Sequence, residues 1–306
     1  MGADAPGNLT YLTSIAPPDV AVVLIVGRAH LGGFGSIEGI AAAKSELVQG
    51  LRAEGTAVLN ADDPRVAAMA PVSAGACVLT YGTDPTAQVR AEQIGTDPAG
   101  HVRLTLVTEA SSAVVTSPLV GQHHTTNILA AATAALSLGR PLTQIADSLS
   151  RAGALSPHRM QVTRSGGITV VDDSYNANPD SMRAALQALA TLGGQDRTVA
   201  VLGEMLELGA DSETEHEHVG RAAAAAGTDV LVAVGAGAAG IARGARAAGV
   251  AQVETPTSVA TAQEMLAGIL RGGDVVLVKA SNGAGLMAVA EMLTQNGEGA
   301  GTEVGR

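Results

Sequence analysis

The chain has 306 residues, of which 46% are hydrophobic and 15% charged, so it can bury a substantial core and is not a disordered chain. Its formal net charge of −11 and the lack of a basic stripe argue against nucleic acid as a partner. A single cysteine excludes an intrachain disulfide, and no apolar run reaches the roughly 18 residues of a membrane span, so we expect a cytoplasmic protein without membrane insertion.

The first half of the chain predicts a partial α/β domain. Residues 19–26 are a continuous apolar run typical of a buried parallel strand, and a Gly-rich turn leads from it into a helix predicted over residues 37–53. Residues 87–119 alternate in period two between Gly and Asp-Pro breaks, which predicts an antiparallel appendage. Ala-rich helices are predicted over residues 121–138 and 141–153.

The sequence pattern changes near Ser156, where predicted short apolar strands alternate with predicted Ala-rich helices. The strands are the runs ITVVDDS, RTVAVLGE, TDVLVAVG and DVVLVKAS. This alternation predicts a Rossmann-like, doubly wound parallel sheet, whose ligands bind at the carboxyl ends of the strands. We therefore predict an α/β protein with one domain over residues 1–155 and a second over residues 156–306.

Polar residues of the second half follow the ends of these strands, where a ligand of such a sheet would bind. They are Asp173, Asn176, Asn178, Glu204, Lys279 and Ser281. A plain alternative is a set of turns and solvated strand ends, with Asn and Asp as caps and Pro179 in the first turn of a helix. The convergence of many polar groups at one sheet edge favours a binding site.

Three further candidates lie in the run AHLGGFGSIEGIAAAK and the motifs GQHHTTNILAAA and SPHRM. The first run places His30 after a buried strand and Lys44 inside the next helix, where a lysine can equally be a solvated surface residue. Lys44 and Lys279 are nevertheless the two lysines among 18 basic residues, and an amine can be neutral or modified where arginine cannot. Asn127 could lie in a simple helix start, and Arg159 could be a surface ion-pair partner.

Taken together, these stretches closely resemble the Mur ligases, and specifically the UDP-N-acetylmuramoyl-tripeptide–D-alanyl-D-alanine ligase family. The similarity covers about residues 1–295, and the runs YNANP and GEMLELG are distinctive of that branch. The resemblance implies an ATP- and Mg²⁺-dependent ligase of peptidoglycan precursor synthesis. It would join D-alanyl-D-alanine to UDP-N-acetylmuramoyl-tripeptide through an acyl phosphate, and we expect it to be a monomer.

The resemblance also assigns roles on the nucleotide side of such a reaction. Lys44 matches a carbamylated lysine, and His30 matches a histidine that helps to hold magnesium. Asn127 matches the asparagine that reads adenine, and Asp173 matches the aspartate that binds ribose. Arg159 matches the arginine that reaches the transferring phosphate.

On the substrate side, the dipeptide would meet residues of the second half. Asn176, Asn178 and Lys279 would face D-alanyl-D-alanine. Glu204 is the candidate to meet its amine, while Lys279 and Ser281 could bind its free carboxylate.

Several departures from the family pattern accompany this resemblance. The sequence contains no G-x-x-x-x-G-K-[S/T] loop for nucleotide phosphates and no domain for the UDP-sugar. We therefore interpret the chain as N-terminally truncated and expect it to be inactive by itself. The resemblance implies that the family usually has Asn at the position of Ile25, Thr at Arg28, an acidic residue at or beside Gly33, and Arg at Asn282.

Three alternatives remain at this point. A remnant without catalysis would keep the nucleotide and dipeptide surfaces. Another Mur-type ligase, such as a folylpolyglutamate synthase, would not be expected to carry the YNANP and GEMLELG runs. A dinucleotide oxidoreductase fits least, because the Gly-rich run GAGAAG occurs only at residues 235–240, far from a first strand.

Overall fold

The structure is a computed structural model that describes residues 1–27, 34–73 and 75–295. The chain divides into two compact units. The first comprises Met1–Asp97 and His101–Gly153, and the second begins at Ala154 and includes Pro98–Gly100. None of the helices in the described ranges combines the length and the apolar composition that a membrane crossing requires.

The first unit contains a six-stranded sheet in the order β1-β2-β3-β4-β5-β6. Its strands are β1 (Val20–Val23), β2 (Thr56–Asn60), β3 (Cys77–Gly82), β4 (Val89–Thr96), β5 (His101–Val107) and β6 (Ser112–Val120). Strands β1 to β4 pair in parallel, and β4, β5 and β6 pair antiparallel. The antiparallel strands predicted for residues 87–119 are thus confirmed, but they continue the main sheet through β3 and do not form a separate appendage.

Five α-helices accompany this sheet within the described residues. They are α1 (Asn8–Ile15), α2 (Ile37–Gln49), α3 (Pro64–Ala67), α4 (His124–Ser137) and α5 (Leu142–Leu149), with a short 3-10 helix at Ala70–Val72. Ser36 caps α2 by accepting a hydrogen bond from the Gly39 amide, and Gly50 ends the helix four residues before the predicted end. The core combines buried side chains of β2 and β5, such as Val58 and Leu104, with Ile128 of α4.

The second unit contains a six-stranded sheet in the order β11-β10-β9-β12-β8-β7. Its strands are β7 (Gln161–Ser165), β8 (Ile168–Asp172), β9 (Thr198–Leu202), β10 (Val230–Ala233), β11 (Gln252–Glu254) and β12 (Val275–Lys279). All neighbouring pairs are parallel except β7 with β8. The predicted Rossmann-like, doubly wound sheet is therefore confirmed, with β7 and β11 as strands that the sequence pattern did not reveal.

Helices cover both faces of the second sheet, since every residue of β9 and β12 is buried. They are α6 (Pro179–Gly193), α7 (Ser212–Ala225), α8 (Ala239–Ala247), α9 (Val259–Ile269) and α10 (Met287–Gln295). Short 3-10 helices lie at Gly209–Asp211, Ala236–Ala238 and Asn282–Ala284. The loops after β8, β9, β10 and β12 share one edge of this sheet, because these strands run in parallel.

Candidate functional site

In the first unit, four side chains bond successive backbone groups just after β1. The pairs are Tyr81 hydroxyl to Val23 carbonyl (3.1 Å), Asn60 Nδ2 to Leu24 carbonyl (2.8 Å), Lys44 Nζ to Ile25 carbonyl (2.6 Å) and Val26 amide to Asp63 Oδ2 (2.7 Å). These partners come from α2, from β2 and the turn after it, and from β3. The exit of β1 is therefore held in one conformation, as a ligand-binding strand end would require.

Lys44 is half-buried on α2, with its amine directed at the end of β1. Burial lowers the pKa of the Lys44 amine, although the negative charge of Asp63 opposes this shift. A larger neutral fraction makes the amine more reactive than that of a surface lysine. The predicted metal partner His30 lies outside the described residues.

Asn127 is exposed and lies in the first turn of α4. Its Nδ2 lies 3.2 Å from Nδ1 of His124, one helical turn away. Because the amide is exposed and its carbonyl oxygen is still able to accept, the side chain can donate and accept hydrogen bonds with a ligand.

In the second unit, Arg159 lies in a turn that is tied to the end of β8. Nδ1 of His158 lies 2.7 Å from Oδ2 of Asp172, and the Tyr175 amide donates to the His158 carbonyl at 3.0 Å. The Arg159 guanidinium carbon lies 4.1 Å from the centroid of the Tyr175 ring, a cation–π contact. The exposed arginine is therefore held by its neighbours on both sides.

The same turn carries two unusual backbone conformations. His158 and Met160, the neighbours of Arg159, have φ angles of 58° and 49°, in the left-handed region. Each costs on the order of 1–3 kcal/mol and persists only where the surroundings determine it. Here the His158–Asp172 pair and a hydrogen bond from the Met160 amide to Asp173 Oδ1 (3.1 Å) stabilise the turn.

Lys279 ends β12 and is 2% exposed. Its amine donates to Asp173 Oδ2 at 2.6 Å and to the Asn176 carbonyl at 2.7 Å. Burial lowers the pKa of Lys279, although the adjacent Asp173 carboxylate opposes this shift. The structure thus directs the amine of Lys279 inward, onto the loop after β8, where it links β12 to the residues beside Arg159.

The loop after β8 is ordered by its own polar side chains. Asn178 and Ser181 form a reciprocal capping box at the start of α6, in which Oδ1 of Asn178 accepts from the Ser181 amide at 2.8 Å. Oδ1 of the exposed Asn176 accepts from the Ala177 amide at 2.8 Å. The Ser281 hydroxyl donates to the Ala177 carbonyl at 3.3 Å. Asn178 and Ser281 therefore shape the loop, and Asn176 presents its Nδ2 to solvent.

Glu204 follows β9, and backbone groups of Glu204 and of the next two residues each form a hydrogen bond. The Ser281 amide donates to the Glu204 carbonyl at 2.9 Å, and the Leu206 amide donates to the Ser281 hydroxyl at 2.9 Å. The Met205 amide between them donates to Nε2 of His216 at 2.8 Å. Across residues 1–27, 34–73 and 75–295, no group is hydrogen bonded to or ion paired with the Glu204 carboxylate.

The sheet edge therefore separates into a fixed scaffold and a set of groups open to a ligand. The amine of Lys279 is bonded inside and Asp173 is only partly buried beside it, whereas Arg159, Asn176 and Glu204 keep polar groups at or near the surface. A cation, an amide and a carboxylate on loops of one sheet edge suit a small polar or zwitterionic ligand. Within the part of the chain that the structure describes, no cluster of three or more His, Cys, Asp or Glu is arranged to hold a metal ion.

Sequence reasoning missed the residues that hold these groups in place. His158 and Asp172 pair across a separation that no motif indicates, and nothing in the sequence around His216 points to its bond with the Met205 amide. Gly237, which contacts Glu204, belongs to a Gly-rich run that by its pattern suggests only a dinucleotide motif.

Two family models match the chain. They describe the Mur ligase middle domain, over residues 1–135, and the Mur ligase glutamate ligase domain, over residues 158–282. The UDP-N-acetylmuramoyl-tripeptide–D-alanyl-D-alanine ligase of Mycobacterium tuberculosis H37Rv is 47% identical, over 96% of this chain and 61% of that protein. The enzyme of the same name from Escherichia coli K12 is 34% identical, over 97% of this chain and 65% of that protein. The chain thus spans less than two thirds of the length of these curated relatives.

Solved structures give the same result. The MurF ligase from Thermotoga maritima in complex with ADP has a TM-score of 0.84 and 28% identity, and the match covers 98% of this chain and 67% of that one. A MurF structure from Acinetobacter baumannii has a TM-score of 0.82 and 31% identity, over 95% of this chain and 64% of that one.

Proposed function

Because the chain belongs to the Mur ligase family, we propose that it serves the ATP-dependent joining of D-alanyl-D-alanine to UDP-N-acetylmuramoyl-tripeptide in peptidoglycan precursor synthesis. The observation that carries the proposal is the carboxyl edge of the second sheet. There the Lys279–Asp173 network fixes the YNANP loop, while Arg159 and Glu204 keep their charged groups available. These 306 residues contain no G-x-x-x-x-G-K-[S/T] loop to position nucleotide phosphates, and we propose that by themselves they bind their ligands without ligating them.

On the nucleotide side, Asn127 is proposed to read the adenine edge, because its amide can donate and accept at once. Asp173 is proposed to bind ribose hydroxyls through the lone pairs that Lys279 and the Met160 amide leave open on its two oxygens. Arg159 is proposed to meet the transferring phosphoryl group, for which a planar guanidinium is suited.

On the substrate side, Glu204 is proposed to receive the ammonium group of D-alanyl-D-alanine, and Asn176 to bond the dipeptide backbone. Lys279, Ser281 and Asn178 serve this contact indirectly, by fixing the loops that carry those two residues.

The metal proposal concerns Lys44. Its half-buried amine with a lowered pKa is suited to capture CO₂ and become an oxygen ligand, and with His30 it would hold Mg²⁺, which offsets charge on a phosphoryl group.

We expect Lys44 to form a carbamate under ¹³C-bicarbonate. Since the neutral amine is the reactive form and burial lowers the pKa of Lys44 from the usual 10.5, the carbamate signal should appear at a lower pH than for a surface lysine and increase as pH rises. Carbon-13 NMR across a pH series measures this. Lys44→Arg keeps the positive charge and should remove the signal, so an unchanged signal in that variant would contradict the assignment.

Asn127→Ala should weaken ADP binding by about 1 kcal/mol, or roughly fivefold in Kd, because a hydrogen bond of ordinary strength is lost. Isothermal titration calorimetry measures the change. Gln144→Ala on the neighbouring helix α5 is a matched control, since Gln144 is also an exposed amide, and it should leave the Kd unchanged. Equal ADP affinity in wild type and Asn127→Ala would remove Asn127 from the adenine site.

A further inference from the structure

The Glu204 carboxylate lies against Gly237, in the loop between β10 and α8. A Cβ atom placed on Gly237 would lie 2.7 Å from Oε1 of Glu204 and would overlap its carboxyl carbon and Oε2. Gly237 does not have a positive φ angle, so its backbone conformation is open to any residue. What glycine provides at this position is therefore the space that the carboxylate occupies.

The backbone that carries this side chain is fixed independently. The Gly203 amide donates to the Lys279 carbonyl at 3.0 Å, and the Ser281 amide donates to the Glu204 carbonyl at 2.9 Å. Both bonds come from the end of β12. The backbone of Glu204 is therefore held by the neighbouring strand, and Gly237 leaves free the space that its carboxylate occupies.

His216 fixes the next residue along the chain. It is 2% exposed on α7, and its Nδ1 lies 2.6 Å from the Ser212 carbonyl, so that nitrogen carries the proton. Nε2 is then a lone-pair acceptor, and it accepts the Met205 amide at 2.8 Å. The hydrogen bond to Ser212 thus selects the one neutral tautomer that can hold the Met205 amide.

We propose that Gly237 and His216 are positioning residues, which hold the Glu204 carboxylate in place to receive the primary ammonium of a small zwitterionic dipeptide. No described group bonds the Glu204 carboxylate, and its oxygens keep contact with solvent, so they are open to a ligand. A ligand cation would supply the opposite charge that this carboxylate does not find among the described residues. The inference rests on the proposed function, because it takes the dipeptide to be the amine component of that reaction.

The Gly237→Ala variant tests the position of the Glu204 carboxylate separately from the stability of the fold. The added methyl group collides with the end of a flexible side chain and not with backbone, so Glu204 can turn away while the fold is kept. We expect a thermal midpoint close to that of wild type and a loss of D-alanyl-D-alanine affinity of about tenfold or more, as in Glu204→Gln. Gly268→Ala is the control, because a Cβ atom there meets nothing within 4 Å, and it should bind as wild type does.

His216 is tested by a matched pair of substitutions. His216→Gln places an amide oxygen near the position of Nε2 and should keep most of the wild-type affinity for D-alanyl-D-alanine. His216→Asn cannot reach the Met205 amide and should weaken binding. Equal affinities for these two variants would overturn the role of His216, because a merely structural histidine would not distinguish them.

Calorimetry with D-alanyl-D-alanine and with its N-acetyl derivative completes the test. Wild type should prefer the free amine, and Gly237→Ala and Glu204→Gln should lose this preference. If Gly237→Ala binds the free dipeptide as wild type does, the positioning role is overturned while the proposed function stands. If wild type binds neither compound, the dipeptide site itself fails. Crystal structures of wild type and Gly237→Ala then decide the remaining point, since an unmoved carboxylate overturns the role of Gly237.

Discussion

Replacing Lys279 with methionine should lower the free energy of unfolding by about 3–5 kcal/mol, because it leaves a buried carboxylate without its counter-charge. Asp173 would lose the 2.6 Å bond to the amine, and the Asn176 carbonyl would lose its donor at 2.7 Å. The loop beside Arg159 should loosen at the same time. Urea unfolding followed by circular dichroism measures the stability change.

A double-mutant cycle identifies the cause of that loss. Asp173→Asn combined with Lys279→Met should be less destabilising than the sum of the single changes, since no uncompensated buried charge remains. The exposed pair of Arg221 with Glu217, at 3.3 Å, is the control, and Arg221→Met should cost less than about 1 kcal/mol. Additive effects of the Asp173 and Lys279 changes would show that the pair does not act as a unit.

Substituting Gly220 by alanine should destabilise the protein by roughly 3 kcal/mol, at the upper end of the usual range for overpacking. Helix α7 meets α8 at this residue, where a Cβ atom would overlap the Ile241 carbonyl oxygen and lie 2.5 Å from the Ala245 nitrogen. Both are backbone atoms, so the helices must separate. Chemical denaturation measures the loss.

The same substitution at Gly268 gives the contrast. This glycine lies inside α9 and has open space where a Cβ atom would stand, so alanine should be neutral or stabilising by up to about 1 kcal/mol. Similar stabilities for the two alanine variants would mean that the α7–α8 contact is more compliant than the structure shows.

Much of the fold could be predicted because the buried parallel strands are continuous apolar runs. Strands β8, β9, β10 and β12 lie within the four runs identified in the sequence, and α2 begins at the predicted residue. Strand β7 was not predicted because QVTRS is largely polar and solvent-exposed, and β11 was not predicted because it has only three residues. Neither has the apolar content from which a strand can be recognised.

The candidate site could be predicted only at the level of which residues lie on the strand ends. The sequence placed Lys279 there correctly, but it could not show that the amine turns inward, because this depends on a carboxylate 106 residues away. Asp173 in turn reaches back to the Met160 amide. The role of Gly237 depends on a non-local contact with Glu204, which no local pattern records.

The segment after β1 is held in place through hydrogen bonds to its backbone and not through its side chains. This has a consequence for how the segment can evolve. Tyr81, Asn60 and Lys44 bond the carbonyls of residues 23–25, while the side chains of Leu24 and Ile25 are 39% and 50% exposed. Every residue type offers the same carbonyl, so the identity of residues 24 and 25 is free to drift while the path of the backbone is inherited. At Ile25 the exposed side chain thus sets what the segment presents to a ligand, while the carbonyl of the same residue accepts the bond from Lys44 that shapes the backbone.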